Sequence, residues 1–267
     1  MILICGSRGF IGRNIYEQLK DKYTFLTPTR NELDFTNIKA VKKYFQSHSI
    51  DTVIYAINCG DDNFSDNVRC FDNVVACKKY FRKMIFLGSG AEYDKSNSIQ
   101  EVEEEESILR FPMDNYGLYK TYCSFIVEKN DWINLRLFGV FGKYEDWTKR
   151  FISQAINKNL AGQPITINKN VYYDYIYIDD LIRIIDYFIT HTAKFNIYNV
   201  GSGRKIDLIT IATIINNIKW SFPIKIKTRG LQNEYTCNID RLMKEISPFE
   251  FTPIEKAIQK LYIEYEQ

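Results

Sequence analysis

Five short apolar runs, at residues 1–5, 23–27, 52–56, 83–87 and 132–137, punctuate the first half of the chain. Between them, apolar side chains return every third or fourth position. Continuous runs of this length read as strands buried on both faces, and the longer period reads as amphipathic helices. The helices fall near residues 10–20, 37–47, 66–81 and 114–129. Strict alternation of the two predicts an α/β fold, a Rossmann-type doubly wound parallel sheet whose carboxyl edge takes a nucleotide. After Gly142 the alternation decays into a helix near residues 149–159, a strand at 164–167 and helices near 181–190 and 208–218. Residues 1–165, with a sheet-completing segment near 195–218, are therefore assigned to a nucleotide-binding domain, and most of 166–267 to a smaller, interleaved substrate-binding lobe.

Composition narrows the function. Of 267 residues, 45% are hydrophobic and 25% charged, enough for a sizeable core and too little charge bias for disorder. The net charge of +2 supplies no field suited to a nucleic-acid backbone. No apolar run approaches the roughly 20 residues of a membrane-spanning helix. A soluble, cytoplasmic protein without nucleic-acid or membrane partners is expected. Six scattered cysteines lack any C-x-x-C pair, which fits a reducing compartment. Two isolated histidines, His48 and His191, leave no basis for a His-rich metal centre or a Ser-His-acid hydrolase. The acidic run at 103–106 reads as a solvated loop.

Gly6, Gly9 and Gly12 stand at intervals of three between the first strand and the first helix. In that setting Gly6 permits a tight turn, Gly9 the close approach of a diphosphate on the positive end of the helix, and Gly12 close helix–strand packing. Gly6, Arg8, Gly9, Phe10, Ile11 and Gly12 are thus the candidate dinucleotide loop. A free ribose 2′-hydroxyl asks for a carboxylate at the end of the second strand, where this chain has Thr29 and Arg30. Arg8 and Arg30 suit a 2′-phosphate instead, so NADP (as NADPH) is expected and NAD is the lesser alternative.

Tyr116 and Lys120 lie one turn apart on the helix before the fifth strand, and Ser89 leaves the carboxyl end of the fourth. Phenols have pKa values near 10 and exchange protons poorly at neutral pH, but a neighbouring ammonium favours phenolate. The three groups suit a proton donor, its cation and a hydroxyl that holds a carbonyl oxygen during hydride transfer. The same spacing at Tyr16 and Lys20 falls at the far end of its helix and reads as structural.

On these residues the chain resembles the extended short-chain dehydrogenase/reductases, the NAD(P)-dependent epimerase/dehydratase family that modifies nucleotide-diphosphate sugars. Residues 173–180 and 199–203 are similar to two further family segments, and residues 29–34 and 86–89 to the GDP-fucose synthase-like reductases. The resemblance implies that Asp34 stands on the adenine side, that Lys120 also holds the nicotinamide ribose, that Arg229 clamps the substrate diphosphate, and that Arg150, near the place of an epimerising histidine, is a second substrate contact. It further implies a homodimer. Where dehydratases carry an Asp-Glu pair, this chain has Gly90 and Ala91. The expected activity is accordingly NADPH-dependent reduction of a nucleotide-linked 4-keto sugar. The rivals are an NAD-dependent 4-epimerase and a non-catalytic NAD(P)-binding sensor or scaffold.

Overall fold

In a computed structural model, which describes residues 1–108 and 110–267, the expected alternation is present. β1 (Ile2–Cys5) leads to α1 (Phe10–Leu19), β2 (Phe25–Leu26) to α2 (Ile38–Ser47), and β3 (Thr52–Tyr55) to α3 (Phe64–Val75). β4 (Lys83–Ser89) is followed by an excursion containing β5 (Ile99–Val102), then by α4 (Asn115–Lys129) and β6 (Ile133–Leu137). Next come β7 (Gly139–Phe141), α5 (Phe151–Leu160), β8 (Thr166–Asn170), β9 (Tyr172–Tyr177), α6 (Ile178–Thr190) and β10 (Ile197–Val200). The remainder is β11 (Lys205–Asp207), α7 (Leu208–Asn216), β12 (Lys225–Leu231), β13 (Tyr235–Cys237), α8 (Asp240–Ile246) and α9 (Ile254–Glu266).

Six strands pair in parallel in the order β10-β6-β4-β3-β1-β2. Their side chains divide by a period of two. Ile2, Ile4, Ile54, Ile85 and Leu87 pack under α1 and α6, while Leu3, Val53, Tyr55, Met84 and Phe86 pack under α2, α3 and α4. Helices on both faces explain why these strands read as unbroken apolar runs. β2 is only two residues long because Pro28 has no N–H to continue the ladder. The order reverses around β1, whose neighbours are β2 and β3, and this opens the switch-point crevice at the strands' carboxyl ends.

A second sheet runs β11-β9-β13-β5, with β7 also paired to β9, and β8 pairs with β12 in a separate ribbon. Segments similar to family motifs act here as braces. Asp174 accepts from Ser202 N at 2.6 Å, Ser202 Oγ at 2.8 Å and Gly203 N at 2.9 Å, tying β9 to the turn after β10. A Cβ on Gly201 would lie 2.4 Å from that carboxylate, so only glycine fits. The helix expected at 66–81 begins at Phe64, where Asn63 accepts from Asp66 N, and ends at Val75 before a 3-10 turn.

Candidate active site

A cavity of about 830 Å³ lies between the carboxyl edge of the six-stranded sheet and the second sheet. Gly6, Gly9, Phe10 and Ile11 form one end of its wall. Gly6 has φ +88°, and a Cβ there would sit 2.8 Å from Ala56 O. A Cβ on Gly12 would approach Gly6 O to 2.3 Å, whereas Gly9 meets nothing nearer than 3.4 Å. Two glycines are thus required by the fold itself, and the third leaves space over the helix end. Gly9 caps α1 without a side-chain bond, and no acidic residue stands in the first turn. Unpaired N–H groups and the positive helix end therefore face the cavity, a fit for a dinucleotide diphosphate.

Ser89, Tyr116 and Lys120 line the same cavity. Lys120 is buried, donates to Leu87 O at 2.7 Å and stands 5.6 Å from the centre of the Tyr116 ring. Lys95 also stands near the phenol, 6.0 Å from the ring centre, and is paired at 3.3 Å with Asp114, the N-cap of α4. Gly117 brings α4 against the turn after β4, because a Cβ there would lie 2.5 Å from Ala91 O. Ser89 Oγ accepts from Ala91 N at 3.1 Å. The Tyr235 phenol stands beside Ser89, its pKa held well above the usual range by burial.

Beneath Ser89 is a buried polar network. Glu92 accepts from Ser89 N at 3.1 Å and from Arg136 Nε at 2.6 Å. Arg136 also donates to Tyr93 Oη at 3.0 Å, Glu104 O at 2.8 Å and Ser107 Oγ at 2.9 Å. Asn134 Nδ2 bridges Glu92 to Ser124, one turn beyond Lys120 on α4. The serine, the helix carrying Tyr116 and Lys120, and the segment around Glu104 are thereby held to one another.

At the cavity's other end stand Lys149, Arg150 and Glu145. Arg150 is the N-cap of α5 and makes no side-chain cap bond. Glu145 is buried and accepts from Ser153 Oγ. Burial raises its carboxyl to about 7, against the opposing pull of the Ser153 hydroxyl and the Arg150 guanidinium. A folded-state value above the unfolded one stabilises the fold fully below about pH 4.3 and loses that contribution as pH rises through 7. Glu145→Gln should therefore raise Tm at pH 8 by about 5 °C, with the gain vanishing towards pH 4. Thermal unfolding across that range is the check, and a gain independent of pH would assign the effect to packing.

Residues 2–201 match the family model described as the NAD dependent epimerase/dehydratase family. The chain belongs to this family. It is 26% identical to dTDP-4-dehydro-6-deoxyglucose reductase of Escherichia coli, over 97% of this chain and 96% of that protein. It is 27% identical to dTDP-D-glucose 4,6-dehydratase of Dictyostelium discoideum over 81% of this chain, but spans only 62% of that relative's length. Among solved structures, GDP-mannoheptose C4 reductase from Campylobacter jejuni with NADP bound superposes with a TM-score of 0.84 at 19% identity, covering 100% of this chain and 98% of that one. This likeness bears out the Rossmann-type fold. Among the described residues no helix is long and apolar enough to cross a membrane, and no group of three or more His, Cys, Asp or Glu is placed to hold a metal.

Within this family member, Gly6, Gly9, Phe10, Ile11, Ser89, Tyr116, Lys120 and Arg150 meet on one cavity. Gly12 packs behind the loop. Arg8 and Arg30 are exposed, outside the cavity lining. Asp34 accepts from Thr36 N and Oγ1, bonds that hold its carboxyl below the ordinary range. Although Thr29 and Arg30 stand where a carboxylate would end β2, Glu32 folds back to accept from Thr29 N at 2.7 Å. That backbone bond, the Thr29 hydroxyl and the attraction of Arg8 keep it ionised. Arg229 is exposed on β12 and is not brought to the cavity wall. Lys95, Glu145 and Tyr235 were not singled out in sequence, because each comes from a segment with no local motif.

Proposed function

We propose that this protein is an NADPH-dependent reductase of a nucleotide-diphosphate-linked 4-keto sugar, working in deoxy-sugar or surface-glycan synthesis. The observation that carries the reading is that Ser89, Tyr116 and Lys120 line one cavity with the glycine loop, while Gly90 and Ala91 place no acid beside them. A Cβ on Gly90 would lie 2.5 Å from Tyr235 Oη and 2.7 Å from Phe138, and Ala91 is buried. Neither position carries a carboxylate that could serve the elimination of water.

The cofactor, when bound, supplies the hydride. Its diphosphate would rest on the Gly6 to Gly12 loop, and Lys120 would hold the nicotinamide ribose with donors left over after Leu87 O. Tyr116 gives its proton to the carbonyl oxygen as negative charge gathers there, with the ammoniums of Lys120 and Lys95 stabilising the phenolate that remains. Ser89 would turn its hydroxyl proton to the same oxygen and fix the carbonyl's orientation. Lys149 and Arg150 would take the substrate diphosphate at the uncapped end of α5.

Glu32 beside Arg8 favours a second reading, since a carboxylate at this edge accepts the hydrogens of an unphosphorylated ribose. That reading is an NAD-dependent 4-epimerase, with no net cofactor consumption. The deciding experiment supplies a 4-keto nucleotide sugar made by a dehydratase and counts NADPH consumed. One NADPH oxidised per sugar supports the reductase, and interconversion of two 4-hydroxy sugars with no net oxidation overturns it. In calorimetry, Arg30→Ala should weaken NADPH binding about tenfold while leaving NADH unchanged, whereas equal losses for both would remove the 2′-phosphate role.

A further inference from the structure

The loop from Ala56 to Asn63 joins β3 to α3 and supplies Ile57, Asn58 and Asp61 to the cavity wall. Between these residues stands Cys59, the one exposed cysteine of the six. Its Sγ lies 3.8 Å from Cys70 Sγ, on the buried side of α3. The approach is held by the backbone. Cys59 N donates to Asn67 Oδ1 at 2.8 Å, and Asn67 Nδ2 donates to Gly60 O at 2.9 Å, so α3 grips both sides of the loop one turn before Cys70. The charged groups facing Cys59 are Arg30, Asp34 and Asp66.

We propose that Cys59 and Cys70 are a peroxide-reactive dithiol on the wall of the nucleotide cavity, closing to a disulfide that weakens the hold on the cofactor. The Cys59 thiolate attacks one peroxide oxygen; an S–O bond forms, the O–O bond breaks, and the departing hydroxide takes up a proton as water. Sulfur is oxidised by two electrons and the peroxide reduced. The Cys70 sulfur then attacks the sulfenic sulfur, forming S–S as S–O breaks, and hydroxide leaves with the Cys70 proton as a second water. The hydrogen bond from the Cys70 thiol outweighs burial and the Asp66 charge and, with a weaker pull from Arg30, holds the Cys59 thiol below its ordinary value, which favours the thiolate. Bonding brings the sulfurs to about 2.05 Å, which draws the loop towards α3 and displaces Asn58 and Asp61 from their places on the wall.

The test treats the full chain with one equivalent of hydrogen peroxide at pH 7 and maps the products by peptide mass spectrometry. A Cys59–Cys70 disulfide forming before any other cysteine changes is the expected result. In Cys70→Ser the sulfenic acid should persist and be trapped by dimedone at Cys59. Iodoacetamide should alkylate Cys59 about tenfold faster than the unfolded chain's thiols. First oxidation at another cysteine, or overoxidation of Cys59 with Cys70 still a thiol, would overturn the dithiol. The effect on the cofactor rests on the NADPH reading: oxidised protein should bind NADPH several-fold more weakly, with recovery in dithiothreitol. An unchanged affinity overturns that coupling, whereas reduced protein that binds no NADPH counts against the cofactor reading and leaves the thiol chemistry standing.

Discussion

Tyr116→Phe is expected to slow single-turnover NADPH oxidation by about 100-fold to 10,000-fold, roughly 3 to 5 kcal/mol of barrier, with NADPH affinity nearly intact. The change removes one oxygen and little shape. On the proposed reading the proton it carries is the one given to the carbonyl oxygen, with Ser89 orienting that carbonyl and Lys120, which donates to Leu87 O, stabilising the phenolate. Lys120→Met should lower both rate and affinity, because on the proposed reading the ammonium would serve the phenol and the ribose together. Tyr16→Phe is the control: Tyr16 is exposed on α1, packs edge-on against Phe25 and lies outside the cavity lining, so its loss should be nearly silent. An active Tyr116→Phe enzyme would assign the acid elsewhere, with Tyr235 beside Ser89 the next group to test.

Glu92→Gln should cost about 3–5 kcal/mol of unfolding free energy, although the side chain keeps its shape and its reach. The Glu92 and Arg136 side chains are 1% and 3% exposed, so the guanidinium left behind would have no carboxylate and no water. Equilibrium unfolding in urea is the measurement. A loss under about 1 kcal/mol would mean that the carbonyl of Glu104 and the hydroxyls of Tyr93 and Ser107 satisfy Arg136 without a counter-charge. Replacing Glu92 and Arg136 together by apolar residues should cost less than Glu92→Gln alone, because no buried charge then stands unpaired.

The parallel sheet was legible because helices cover both its faces, so its strands carry apolar side chains at nearly every position. β6 bends that rule. Asn134 and Arg136 alternate with Ile133, Leu135 and Leu137, a pattern suggesting one solvated face, yet all five are buried. Their partner, Glu92, lies 42 and 44 positions away, beyond the reach of any local period. The second sheet was not legible for a related reason. β5 exposes both of its middle residues, and in the separate ribbon β12 exposes all seven, so neither carries an apolar run. At the site, the glycine loop, Ser89 and the Tyr116–Lys120 pair were legible because each sits at a strand–helix junction with fixed spacing. Lys95, Glu145 and Tyr235 come from separate loops and edges that only the fold brings to one cavity.

β5 and β13 are neighbours in the second sheet, Ile99 opposite Tyr235, although the whole of β6, α6 and β10 lies between them in the chain. A polypeptide emerging from the ribosome therefore completes all six strands of the nucleotide sheet by Val200, while β5 still waits for its partner. Asn199 meanwhile grips Val102 O and accepts from Tyr93, so a provisional join between the lobes exists before β13 arrives. Contacts of such long sequence separation form slowly, because the loop must be closed before they yield any stabilisation. A nascent chain should thus be able to bind a dinucleotide before it can shape a substrate pocket, and the lobe built from β5, β9, β11 and β13 should not fold when expressed as any single contiguous fragment.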